Sequence, residues 1–160
     1  MKIKILTGII FCFVFAHDAY SQHYTVYNFN QLEPLLNQKN DTTYVINFWA
    51  TWCKPCIEEM PAFNKLHNNY LKKKVHVILV SLDFGKDYQS RVKSFAERHS
   101  LKPHIVILDD PNSNAWIDKV SPDWSGALPA TLIFNKNKRS FFEQSFTYEE
   151  LEKEVRKVIQ

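Results

Sequence analysis

The chain has 160 residues, of which 45% are hydrophobic, 14% aromatic and 23% charged, a composition suited to one domain with its own core and unsuited to a disordered polymer. Its formal charge is +3, falling to +2 if Lys2, Lys4 and Asp18 leave with a leader, and the sole basic run, Lys72 to Lys74, is placed at a helix end where cations suit the macrodipole. Phosphate binding needs clustered cations on one face, so nucleic acid is excluded as a partner class.

Residues 1–21 read as a secretory signal: Lys2 and Lys4, an apolar run from Ile5 to Ala16, then short polar residues. The run is well short of the roughly 20 residues a spanning helix needs, so no stable membrane anchor is expected once it is cleaved, after Ala16 or after Ser21. Cys12 follows the bulky Phe11, which argues against lipoprotein processing. The expected organisation is a signal at 1–21 and a single domain over 22–160, retaining only Cys53 and Cys56.

A short strand is expected over Tyr24–Phe29, then a helix opened by an Asn30/Glu33 capping box, with Pro34 in its first turn and Leu32, Leu35 and Leu36 on one face. Asn40-Asp41 reads as a turn, and Thr42–Trp49, apolar on both faces, as a central strand. The helix after the cysteines carries Ile57, Met60, Phe63, Leu66 and Tyr70 at spacings of three and four, with Pro61 expected to bend it. A strand at His76–Leu82 follows. Asp87 is expected to cap a helix with Tyr88, Val92, Phe95 and Ala96 inward, ahead of a strand at His104–Leu108.

Residues 109–128 have turn composition, with a short helix expected around Ser113–Val120. Ala130–Phe134 and Ser140–Phe146 flank the polar turn Asn135 to Arg139 and read as an antiparallel hairpin. Thr147 and Glu150 form a capping box for a last helix with Leu151, Val155, Val158 and Ile159 inward. The fold class is α/β, a central mixed β-sheet flanked by helices and ending in a β-hairpin plus helix.

Cys53 and Cys56 stand where a strand ends and a helix begins. Their disulfide would close a very small ring, a poor staple, so the pair points to redox chemistry. A thiol reacts as its thiolate. Cys53 at the helix start is favoured by unpaired N–H groups, the macrodipole and the neighbouring Lys54, and Pro55 fits a first turn where its missing N–H costs nothing. Cys56, one turn further in, is expected to be more buried. Cys53 is therefore the attacking thiol, and Cys56 the one that resolves the mixed disulfide.

The stretch Phe48-Trp49-Ala50-Thr51-Trp52-Cys53-Lys54-Pro55-Cys56, followed by Glu58-Glu59-Met60-Pro61, resembles the thioredoxin superfamily and its secreted bacterial TlpA/ResA-like branch. Leu128-Pro129-Ala130-Thr131 is similar to the segment carrying that family's cis-proline, whose loop faces the cysteines and grips the substrate chain, and Ser81-Leu82-Asp83 is similar as well. The resemblance, over residues 24–160, implies a thioredoxin-like fold and Trp52, Pro55, Leu128 and Pro129 as substrate-binding residues. Thioredoxins proper usually have Gly after the first cysteine and a buried Asp in the preceding strand. This chain has Lys54 and Asn47, and Asn47 cannot titrate. Glu59 matches a ResA-branch Glu near the pair and falls on the cysteine face of the helix, which makes it the candidate proton-handling group alongside the catalytic Cys53 and Cys56. The other reading of Glu59 is a solvated carboxylate, which is also the reading for Glu58.

Trp52 is either a partner-contacting aromatic or a core lid, and Trp49 is core. Trp116 and Trp124 either line a specificity groove or pack inside. A zinc site is disfavoured: the interval from Cys56 to His99 and His104 far exceeds that of a finger. Covalent haem would need His after Cys56, where Ile57 stands. A peroxiredoxin would be expected to place Thr three residues before its reactive cysteine, with a partner Arg; Thr51 is two before Cys53 and no Arg lies nearby in sequence. Three glycines cannot build a phosphate cradle.

The expected activity is thiol-disulfide exchange with proteins through Cys53/Cys56, with no metal and no cofactor beyond that redox-active disulfide. The signal implies an extracytoplasmic (periplasmic) protein, expected to be a monomer fed by a membrane or soluble thiol donor, and the resemblance leans toward a reductant acting, for instance, on apocytochrome thiols. The alternatives are a non-enzymatic docking module of the same fold and a thiol peroxidase.

Overall fold

The computed structural model describes residues 24–159; the signal assignment at 1–21, with Cys12 and the domain start at residue 22, lies outside them. Six strands form one sheet: β1 (Thr25–Tyr27), β2 (Thr43–Trp49), β3 (Val75–Ser81), β4 (His104–Leu108), β5 (Ala130–Phe134) and β6 (Arg139–Phe142). Their spatial order is β1-β4-β3-β2-β5-β6; the first four are mutually parallel, and β5 and β6 run antiparallel to their neighbours. The helices are α1 (Phe29–Leu32), α2 (Lys54–Tyr70), α3 (Tyr88–Arg98), α4 (Ile117–Val120) and α5 (Tyr148–Ile159).

All seven residues of β2 are buried, as a strand enclosed between β3 and β5 and covered on both faces must be. The period of two sends Val45 and Trp49 into one core with Met60 and Phe63 of α2, Phe95 of α3 and Val155 of α5. Tyr44, Ile46 and Phe48 point into the other, with Phe29, Leu32, Trp116 and Trp124. Trp116 stacks on Phe29 and Trp124 packs against Phe48, and both also line a cavity of about 430 Å³ with Leu82, Phe84 and Gly126. Helix α2 is continuous through Pro61, which stands at an exposed position and deprives the Ile57 carbonyl of its intrahelical donor. Lys72 to Lys74 lie just beyond its end.

Several boundaries differ from expectation. β1 stops at Tyr27, because the Asn28 side chain accepts from the Gln31 N–H and the Gln31 side chain from the Asn28 N–H, a capping box two residues ahead of Asn30/Glu33. Pro34 then opens a separate 3-10 turn, Leu35–Asn37. Asp87 stands at the start of α3 in a left-handed conformation (φ 57°) and makes no side-chain cap. The helix expected at Ser113–Val120 is broken at Trp116 into a 3-10 turn, Ser113–Ala115, and α4. β6 ends at Phe142, so Phe146 belongs to a loop, although its ring is buried in the core. The Thr147/Glu150 box forms at α5 with Leu151, Val155 and Val158 inward, but Ile159 is 45% exposed in the last turn.

Candidate active site

Strand β2 delivers the chain to the site. After Trp49, the Cys53 N–H donates to the Ala50 carbonyl at 3.1 Å, closing a turn, and Cys53 becomes the N-cap of α2. Its sulfur accepts from the Cys56 N–H at 3.3 Å, and Pro55 occupies the first turn. Cys53 and Cys56 are joined by a disulfide with their Cα atoms 5.3 Å apart. Cys56 is fully buried, while Cys53 keeps a small exposed area facing a groove of about 540 Å³.

One wall of this groove is Trp52, Cys53, Lys54 and Pro55; the other is Leu82, Gly126, Ala127 and Leu128. The Leu128-Pro129 peptide is cis, and Pro129 itself is buried beneath the wall that Leu128 presents. Gly126 adopts φ 93°, open to glycine and strained for other residues, and Trp124 braces the loop by donating its indole N–H to the Ala127 carbonyl at 2.9 Å. Trp52 is 59% exposed, which rules out the core-lid reading, and it meets the exposed ring of Phe84 edge-on at 6.4 Å. Lys54 is solvated and lies 3.9 Å from Glu58, which is also exposed, a pair of little energetic weight.

Glu59 is only 3% exposed, so the solvated reading fails. Its carboxyl accepts from the Asn47 amide at 2.9 Å and from the Phe146 N–H at 3.0 Å, and the same Asn47 amide donates to Thr131 Oγ1 at 3.1 Å. Burial raises the Glu59 pKa to about 7, against the opposing pull of the two donors. It sits one turn beyond Cys56 on the helix face turned to the core. A carboxyl that exchanges its proton near neutrality can take one from a buried thiol.

Of the site residues expected from the sequence, Trp52, Cys53, Pro55 and Leu128 line the groove, Cys56 and Pro129 lie buried behind it, and Leu82, Gly126 and Ala127 line it without having been singled out. Their one signal was proximity to the Ser81-Leu82-Asp83 and Leu128-Pro129 motifs.

The Thiol-disulfide oxidoreductase ResA of Geobacillus kaustophilus is 34% identical over 116 residues, covering 71% of this chain and 61% of its own length. The Thioredoxin-like protein YneN of Bacillus subtilis is 41% identical over 92 residues, covering 58% of this chain and 49% of its own. The chain thus spans about half to three fifths of these curated relatives. Among solved structures, a thioredoxin-related protein from Neisseria meningitidis superposes with a TM-score of 0.63 at 24% identity, covering 75% of this chain and 85% of that one, which supports a thioredoxin-like fold. With the model of the AhpC/TSA family matching residues 22–139, the chain belongs to that family.

Proposed function

We propose that the protein is a thiol-disulfide oxidoreductase that exchanges two electrons with other proteins through Cys53 and Cys56. The observation that carries this reading is the asymmetry of the pair: one sulfur at a helix start on a groove, the other sealed in the core one helical turn before Glu59, a buried carboxyl whose pKa burial raises to about 7. In the reduced form the Cys53 thiolate attacks a substrate disulfide, forming a mixed disulfide and releasing one substrate thiolate, which takes up a proton. Cys56 then loses its proton to Glu59 and attacks the Cys53 sulfur, which re-forms the internal disulfide and releases the second substrate thiolate. The electrons reside in the S–S bond, so the reading calls for no further cofactor. Trp52, Pro55, Leu128 and Pro129 are assigned to holding the substrate chain, because they form or support the two walls of the groove.

The finer assignment is an extracytoplasmic reductant supplied by an upstream thiol donor, with apocytochrome thiols one class of target. The signal-like pattern of residues 1–21 and the likeness to ResA support it. In a dithiothreitol-driven insulin reduction assay, the protein is expected to accelerate precipitation. No acceleration would leave a docking module as the better account. Measured against glutathione or thioredoxin couples, the potential should lie below about −200 mV; a value near −120 mV, that of a strong oxidant, would reverse the direction of flow.

A further inference from the structure

Asp83 follows β3 with its side chain fully buried, and the exchange reaction above makes no use of it. Its Oδ2 accepts from the Thr51 N–H at 2.9 Å and from the Ser81 hydroxyl at 2.8 Å, while Oδ1 accepts from the Thr51 hydroxyl. Arg91 of α3 brings Nη2 to 3.9 Å from Oδ1. The same guanidinium donates to the carbonyls of Lys86 and Phe84 at 2.6 and 2.8 Å, holding the loop whose Phe84 ring meets Trp52. Burying a carboxylate is costly unless it is paired and hydrogen-bonded, and here its acceptor capacity is spent chiefly on one residue, Thr51.

Thr51 is the first central residue of the turn that Cys53 closes by donating to Ala50, and Cys53 is the N-cap that starts α2. The clamp on Thr51 therefore lies two residues from the reacting sulfur. We propose that Asp83 is a positioning residue for Cys53: by gripping both the amide and the hydroxyl of Thr51, it fixes the turn that presents the sulfur to the N-terminal N–H groups of α2 and to the groove. The inference deepens the exchange reading and rests on it for its biological meaning. The chemistry it predicts at Cys53 is readable without a partner.

Thr51→Val removes the hydroxyl at nearly constant volume and leaves every charge around the corner in place, namely Lys54, Glu58 and Glu59 of α2, Arg91 of α3 and Asp83 itself. The readout is iodoacetamide alkylation of the reduced protein as a function of pH, with Cys53 identified by mass spectrometry. Thr51→Val is expected to slow alkylation at pH 7 about fivefold and to move the midpoint of the profile upward, because the thiolate is less well met by the helix N–H groups. Thr51→Ser, which keeps the hydroxyl, should stay within about twofold of the native rate. Adding Asp83→Asn to Thr51→Val should produce less than the sum of the two single losses, since both break one clamp. Thr51→Ala serves the same purpose if the valine variant fails to fold.

A Thr51→Val profile that superposes on the native one in a folded protein, or equal impairment in Thr51→Ser, overturns the clamp and leaves the exchange reading intact. Failure of the native protein in the insulin assay overturns the exchange reading and leaves the alkylation result standing.

Discussion

Cys56→Ser is expected to accumulate a covalent adduct with any protein whose disulfide it attacks, visible on a non-reducing gel and released by dithiothreitol. Cys53 remains at the start of α2 and forms the mixed disulfide as before. The sulfur that would displace the partner is gone, and with it an intramolecular step that benefits from a very high effective concentration; the adduct should outlive its native counterpart by at least about a hundredfold. Cys53→Ser should instead reduce insulin turnover to that of dithiothreitol alone, and form no adduct, because Cys56 is sealed from any partner. An adduct through Cys56 in that variant would overturn the division of labour between the two sulfurs.

Glu59→Gln should flatten a pH dependence that the native protein shows both in stability and in the resolving step. The folded carboxyl keeps its proton up to about pH 7, whereas in the unfolded chain it releases it near the ordinary value of 4.5. Between those values the folded state binds more protons than the unfolded one, so the contribution of Glu59 to stability falls as pH rises, by up to about 3 kcal/mol once pH exceeds 7. The amide variant resembles the protonated form. Asn47 Oδ1, which has no hydrogen-bond partner in its buried position, can accept from the new amide if the Asn47 amide rotates. Urea denaturation at pH 5 and pH 8 should show the native protein losing stability relative to the variant at the higher pH. Stopped-flow release of a bound partner at pH 8 should be slower in the variant by about two to four orders of magnitude, the range of a general base. Parallel stability curves together with an unchanged release rate would return Glu59 to a purely structural role.

The order of the main elements was legible because each long segment carries a clear signal: a β-branched and aromatic run apolar on both faces in β2, spacings of three and four in α2. The differences arise where another side chain, distant in sequence for Phe29 and Phe146 and nearby for Asp87, outcompetes the local preference. Asn28/Gln31 and Asn30/Glu33 both fit a capping box; the Asp110 carboxylate accepts from the Phe29 N–H at 3.0 Å and favours a helix starting there. Phe146 has strand character, but its N–H is captured by Glu59. Asp87 has the composition of a cap, yet it is Arg91 that ties the preceding loop down. At the site, the cysteines and Leu128-Pro129 were legible from local motifs. The Asp83–Thr51 clamp and the far wall at Leu82, Gly126 and Ala127 were not, because they exist only once β3 and the loop before β5 come together. Glu59 was legible as a position on a helix face, but its burial depends on Asn47 and on the loop that carries Phe146.

The bond from Phe146 to Glu59 also makes the main chain an indicator. The amide of residue 146 belongs to no strand or helix, and its acceptor is the one carboxyl in this part of the core whose charge changes near neutrality. Its NMR chemical shift should therefore trace a titration curve centred close to pH 7, and its solvent exchange should slow as the carboxylate forms, since a charged acceptor holds an N–H more tightly. The proton inventory of the redox centre is in this way written onto a backbone position two residues ahead of α5, where it can be read without labelling either sulfur.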